Sequence, residues 1–460
     1  VFVGNNMFLL RRFTSACVFL ASKCLPDSFV LVGILSFLVF ILVYIFTDQN
    51  VSDIVFSWGN GLWTLLGFSM QMALVLVLGQ ALANALLIQK FLKYLSFLPK
   101  GPYMAIVLVT FVSLVANWIN WGFGLVISAI FAKEIAKNVK GVDYRLLIAS
   151  AYSGFVIWHG GFSGSIPLSI ATQNENLHTI SAGVISKAIP LTQTIFSTYN
   201  LFIVGVIFIV LPFLMAIIHP KKNERIEFDI NLLENEKKDF KLISHEVHKT
   251  LAYFLENSAL LSYLLVFLGF IYLCMHFLKG GGLSLDIVNT IFLFLGILLH
   301  KTPLAYIKAI NHSAKSAAGI LLQFPFYAGI MGMMIRHNLE NNSLAQMLSL
   351  AFTQFANEKT FALMTFLSAG IINIFIPSGG GQWAIQAPIM LPAGQNLGVD
   401  PSVICMAIAW GDSWTNMIQP FWALPSLAIA GLSAKDIMGY CVLTLIFVGL
   451  VVCFGLYFLT

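Results

Sequence analysis

Two polar, glycine-rich stretches interrupt apolar segments of this chain, and each is matched by a second about forty residues on. Asn117-Trp118-Ile119-Asn120-Trp121-Gly122 is followed by His159-Gly160-Gly161-Phe162-Ser163-Gly164-Ser165. Asn373 to Gln382, containing Pro377-Ser378-Gly379-Gly380-Gly381, is followed by Asp412-Ser413-Trp414-Thr415-Asn416. A helix that starts at such a break presents free N–H groups and the positive end of its dipole, and can hold a carboxylate without Arg or Lys. Glycines let backbone approach the ligand closely. Asn120, Gly122, Gly161, Ser163, Gly164, Ser165, Ser378, Gly379, Gly380, Gly381 and Gln382 are therefore the expected substrate contacts, and a side chain at Gly380 should abolish transport. Asn117, Asn373, Ser413, Thr415 and Asn416 add neutral oxygens of the kind that coordinate Na⁺, although helix-to-helix hydrogen bonding explains any single one equally well.

Asp412 is the sharpest residue of the set. An acid inside a membrane segment is costly and serves as a proton relay, a cation ligand or half of a pair. It repels an anionic substrate unless it is protonated or neutralised by a cation, and that requirement is itself a coupling device for H⁺ or Na⁺. The bland reading is an Asp that caps a half-helix. His159 can bind protons or simply hydrogen-bond locally, and its role stays open.

These breaks need a membrane around them. Hydrophobic residues form 58% of the 460 and charged ones 10%, against about 25% charged in a soluble domain; mean hydropathy is +0.87. Unpaired backbone in hydrocarbon costs several kcal/mol, roughly, so non-helical chain at that depth implies a protein-lined or watery site. The net charge of +5 then carries no implication of nucleic acid. The six cysteines lack metal-ligand spacing and read as core residues. The stretch after Arg11-Arg12, broken by Lys23, does not read as a cleavable signal. No Walker loop, His-Glu-x-x-His or dinucleotide fingerprint is present, and no cofactor is expected. Gly161-Phe162-Ser163-Gly164 has the form used by intramembrane serine proteases, a remote alternative that requires a His partner for Ser163.

Ser28–Phe46, Leu62–Ile88, Leu201–Ile218, Ala259–Leu278 and Lys435–Leu459 are long enough to cross about 30 Å of hydrocarbon, and Asp286–His300 and Ser316–Ile335 join them. Pro102 to Ala136 is apolar, broken in the middle and basic at both flanks, which favours a re-entrant hairpin that enters and leaves on the cytoplasmic side. Thr360 to Ala393 is its counterpart. With the N-terminus inside, only Lys187, Lys279, Arg336 and Lys359 of the 25 Lys and Arg fall outside. Trp158 and Trp410, Ser163 and Thr415, Gly67 and Gly319, and Gln71 and Gln323 are each 252 residues apart. The expected fold is an all-α polytopic membrane protein of two inverted repeats, each with a re-entrant helical hairpin and a broken transmembrane helix. Its parts are an interfacial amphipathic segment (1–27), a first repeat (28–219), a cytoplasmic linker (220–258) and a second repeat (259–460).

The chain resembles the bacterial short-chain fatty acid transporters of the acetoacetate and butyrate type nearly end to end. The resemblance is carried by Asn120-Trp121-Gly122-Phe123-Gly124, Gly161 to Ser165, His300-Lys301-Thr302-Pro303, Gln323 to Ile330, Pro377 to Gly381, Gln419-Pro420-Phe421-Trp422-Ala423-Leu424-Pro425 and Asp436 to Cys441. It implies uptake of short monocarboxylates across the inner membrane, coupled to Na⁺ or H⁺, in a fold similar to the ion transporter superfamily. Relatives of that kind are dimers that move a transport domain like an elevator. The same fold carrying another small carboxylate, such as a dicarboxylate or hydroxy acid, is the alternative. The chain departs from the family pattern at His159, which stands in what resembles a plain glycine run, and at Asp412, where the resemblance leads to Glu.

Overall fold

The computed structural model describes residues 2–24, 26, 28–64, 66–171, 175–228, 250–282, 285–336, 343–377 and 379–460. Among these, all regular structure is helical. The chain runs α1 (Phe2–Cys24), α2 (Ser28–Phe46), α3 (Val51–Gly61), α4 (Leu66–Ala83), α5 (Leu86–Ser96), α6 (Pro102–Ile119), α7 (Trp121–Asn138), α8 (Tyr144–Ser153), α9 (Ser165–Ala171), α10 (Glu175–Ile180) and α11 (Thr198–Ile217). It continues with α12 (Leu251–Glu256), α13 (Ala259–Leu278), α14 (Leu285–His300), α15 (Pro303–Ala314), α16 (Ala318–Ile335), α17 (Leu344–Thr353), α18 (Phe361–Phe375), α19 (Gly379–Asn396), α20 (Pro401–Thr415), α21 (Pro420–Ala430) and α22 (Ala434–Phe458). Stretches of 3₁₀ helix, Gly154–Gly160 and Asn416–Ile418, lie inside the two broken segments.

Five described helices are long and apolar enough to cross a membrane: Phe29–Phe46, Pro102–Ile119, Thr198–Ile217, Ala259–Leu278 and Ala434–Phe458. The outward faces match that solvent, since α13 exposes Leu260, Leu264, Phe267, Leu268 and Ile271. Local signals set the helix starts. Asn50 caps α3 through Asp53 N–H, Asp143 caps α8 through Leu146 N–H, and Ser433 with Asp436 forms a capping box on α22.

The two halves of the chain interlock. α2 and α3 of the first half pack on α16 of the second, while α14 and α15 of the second pack on α4 of the first. The same exchange recurs at the breaks, where α7 packs on α21 and α19 packs on α9. Each hairpin's first arm stays at home, α6 on α8 and α18 on α20.

One expectation changes, and two segments gain detail. Leu62–Ile88 is not one span: helix ends at Ala83, and α5 leaves at 78° after Asn84-Ala85. Hydropathy reports the composition of a stretch and not its direction, and Asn84-Ala85 interrupts the ladder inside an apolar run. The N-terminal segment is helical from Phe2 and packs along α22, so closely that a Cβ at Gly439 would fall 2.4 Å from Val18 Cα. The linker begins as docked chain, because Ile226 N–H donates to Asp143 Oδ2 at 2.9 Å and Arg225 Nη1 to Gly141 O at 3.0 Å. Residues 229–249 of the linker lie outside the described residues.

Candidate functional site

Both hairpins turn where the sequence breaks. Asn120 leaves α6 in an extended conformation (φ −155°, ψ 122°) and caps α7, its Oδ1 accepting from Phe123 N–H at 3.0 Å. This tip is stitched to the first broken helix by three bonds. Trp121 N–H donates to Ser163 Oγ at 2.9 Å, Phe162 N–H to Trp118 O at 2.8 Å and Trp118 Nε1 to Gly160 O at 3.2 Å. The approach is so close that a Cβ at Gly161 would lie 2.3 Å from Trp118 O. Gly164 is held similarly, with His159 O 2.6 Å from where its Cβ would be. Asn117 points back into its own helix, donating to Ser113 O at 2.8 Å.

The second hairpin is tied to the second broken helix by side chains. Asn373 Nδ2 donates to Asp412 O at 2.7 Å, Asn416 Oδ1 at 2.7 Å and Thr415 Oγ1 at 3.0 Å. Thr415 Oγ1 in turn donates to Gly370 O at 2.8 Å. Gln419 Nε2 donates to Asn373 O at 2.6 Å.

The two constellations meet at His159. Its Nδ1 lies 2.8 Å from Ala409 O and 3.2 Å from Asp412 Oδ2, and its Nε2 lies 2.9 Å from Ser165 Oγ. The tip of the second hairpin closes on the same spot, since a Cβ at Gly379 would fall 2.5 Å from Ser165 Oγ and 2.8 Å from His159 Nε2. His159, Asp412, Asn373 and Asn416 are each 0% exposed. A floor of aromatic rings lies beneath, with Trp158 stacked on His159 at 3.6 Å between centroids and Trp121, Phe155 and Trp422 packed around Trp158. An unpaired carboxylate in such surroundings is prohibitively costly. Asp412 Oδ2 meets His159 and, at 3.5 Å, Asn416 Nδ2, whereas Asp412 Oδ1 is buried with no hydrogen-bond donor. Asn117 Oδ1, Asn373 Oδ1, Gln382 Oε1 and Gln419 Oε1 are buried acceptors in the same condition. Among the described residues these oxygens have no donor.

Several expected contacts sit elsewhere. Gly122 packs outward on α4, where a Cβ would strike Val75 at 2.8 Å, so it serves packing. Gly380 is exposed with nothing within 4 Å of a Cβ, so Gly379 and not Gly380 is the crowded tip. Gly381 follows on α19. Gln382 turns toward α18, donating to Ala369 O at 2.8 Å, and Ser413 bonds only Trp410 O of its own helix at 3.2 Å. Ser378 lies outside the described residues. Gln71 reaches Asp286 on α14 at 2.7 Å, away from the breaks.

The structure adds residues that sequence reasoning misses. Asn200 Nδ2 donates to Gly160 O at 3.2 Å while its Oδ1 accepts from Trp410 Nε1 at 2.9 Å, linking the halves. Tyr152 donates to Asn416 O. A lone Asn in the apolar Tyr199–Ile217 run is the available signal for the first; an aromatic hydroxyl in a helix gives none for the second. An apolar cleft of about 130 Å³ lined by Gly79, Leu82, Phe91, Phe123 and Phe292 opens at the α4–α5 bend. It offers no polar group to orient a carboxylate.

Comparison with known proteins identifies the family. A family profile described as "Short chain fatty acid transporter" matches residues 9–459. A candidate short-chain fatty acid transporter of Haemophilus influenzae is 46% identical over 454 residues, 98% of this chain and 100% of the relative. One of Escherichia coli is 43% identical over 455 residues, 99% of each chain. The solved YdaH transporter of Alcanivorax borkumensis superposes over 94% of this chain and 97% of its own at 17% identity and a TM-score of 0.45, too loose to bear on the site.

Proposed function

The chain belongs to the short-chain fatty acid transporter family, and from that premise we propose that it is a cation-coupled secondary transporter taking up acids of the acetate, butyrate and acetoacetate class across the bacterial inner membrane. The observation that carries this reading is the closure of the Gly379 tip on Ser165 and His159, with Asp412 directly behind. The first N–H groups of α19 lie at that tip and form the positive pole for a carboxylate. Asp412 and the acceptor oxygens around Asn373 supply the demand for an accompanying cation. His159 and Asp412 are buried and Ser165 is half-buried, so on this reading substrate reaches His159 when the hairpin tip lifts.

The family is one of transporters and not of enzymes. Ser163, the serine of the protease-like motif, accepts from Trp121 N–H and has no His among the described residues; His159 serves Ser165 instead. Ser165, His159 and Asp412 stand in the order of a nucleophile, base and orienting acid. Membership of a transporter family, and not the packing at the tip, sets an acyl-transfer role for this array aside.

Uptake of labelled acetate, butyrate and acetoacetate into proteoliposomes, under separately imposed Na⁺ and pH gradients and against protein-free vesicles, tests the proposal. Saturable accumulation of at least one acid is the expected result. Rates equal to protein-free vesicles for all three would overturn it.

A further inference from the structure

The two nitrogens of His159 have different neighbours, and the difference fixes what the ring can carry. Nδ1 faces two acceptors, Ala409 O at 2.8 Å and Asp412 Oδ2 at 3.2 Å, so it holds a hydrogen whatever the charge of the ring. Nε2 faces Ser165 Oγ at 2.9 Å, and a hydroxyl can reverse its role. With the ring neutral, Ser165 donates to Nε2; with the ring protonated, Nε2–H donates to Ser165. The variable proton therefore sits on the side of the imidazole turned to the Gly379 tip. The added charge would be met by Asp412 on one edge and by the face of Trp158, stacked at 3.6 Å and 21°.

We propose that His159 is the proton-carrying counter-charge of the transported carboxylate. As the carboxylate binds at the Gly379 tip, the Nε2 lone pair takes one proton from the side on which the site is open. When the carboxylate leaves on the other side, Nε2 releases that proton with it. Asp412 is a positioning residue that orients Nδ1–H and balances the imidazolium. The site carries the same net charge loaded (two carboxylates and an imidazolium) as empty (one carboxylate and a neutral ring), so the cycle moves no charge. This rests on the transporter reading and deepens it by naming the coupling ion and its carrier.

The other ionisable groups on elements around the turn are few. They are Tyr103 on α6, Lys133, Glu134 and Lys137 on α7, Tyr144, Arg145 and Tyr152 on α8, Tyr199 on α11 and Cys405 on α20, with none on α9 or α19. Among the described residues, Asp412 is the one in ion-pair distance of His159.

Calorimetric titration of butyrate into the purified full-length protein, in two buffers of different ionisation enthalpy between pH 6 and pH 8, counts protons taken up on binding. Wild type should take up a proton fraction that rises toward one per butyrate as pH rises, with the apparent Kd weakening toward tenfold per pH unit. His159→Gln should bind more weakly, with a Kd flat in pH and heats independent of buffer. Asp412→Asn should take up fewer protons per butyrate than wild type, in step with its loss of accumulation. Proteoliposome uptake should not respond to an imposed potassium diffusion potential. Wild-type binding with buffer-independent heats throughout, or binding that needs Na⁺ without proton uptake, would overturn the proposal even if His159→Gln fails to fold. Proton uptake retained in His159→Gln would do the same. A wild type that binds none of the three short acids would instead overturn the transporter reading.

Discussion

Gly379 of the second hairpin lies against Ser165 of the first broken helix with no room for a side chain, a Cβ there falling 2.5 Å from Ser165 Oγ. Its neighbour Gly380 has open space. Gly379→Ala should therefore remove most uptake while leaving membrane insertion intact, and Gly380→Ala should keep wild-type kinetics. Side-by-side butyrate uptake by the two variants checks this, and the reverse ranking would displace the tip from the site.

Asp412→Asn keeps shape and one acceptor oxygen but removes the charge that makes a cation necessary. Two like charges 4 Å apart repel by about 4 kcal/mol at an effective dielectric of about 20, enough to enforce coupling. Accumulation against a gradient should fall to about the equilibrium ratio, while exchange of labelled for unlabelled substrate persists. Wild-type accumulation in this variant would reduce Asp412 to a structural residue.

Ser163→Ala takes away the acceptor of the buried Trp121 N–H, and an unsatisfied buried donor costs about 1–3 kcal/mol. A lower melting temperature and weaker uptake should follow. Wild type should resist fluorophosphonate labelling, and specific labelling of Ser163 would bring acyl chemistry back.

His219, just past α11, is packed among Asp143, Arg225 and Arg11, and burial with the Arg225 charge beside it lowers its pKa from 6.5 to about 4. The folded state thus disfavours protonation that the unfolded chain accepts, so this contribution is full above about pH 6.5 and is lost as pH falls toward 4. The melting temperature should drop by a few degrees between pH 7 and pH 5, and His219→Asn should flatten that slope. An unchanged slope would place the acid sensitivity elsewhere.

Cysteines at Lys140 and Asn396, both exposed, should react with an impermeant thiol reagent from opposite faces, Lys140 from the cytoplasm. Reaction from one face would undo the orientation drawn from the Lys and Arg distribution.

The breaks are visible in the sequence because polar residues and glycines inside apolar runs are seldom there for packing against lipid. Depth in the third dimension is not. Gly122 and Gly379 look alike as letters, yet one packs on Val75 and the other on Ser165. Gln71 stands in the sequence only as a match to Gln323, because nothing local reveals Asp286 as its partner. His159 has no assignable role from the sequence because its meaning depends on Asp412, which arrives from the other half of the chain.

The interlocking of the halves bears on the order of synthesis. α4 leaves the ribosome well before α14 and α15, its packing partners, exist, and Gln71 waits 215 residues for Asp286. The first half is therefore made before the helices that cover α4 exist. A premature stop in the linker would leave not a smaller working unit but an orphan, exposed to membrane quality control.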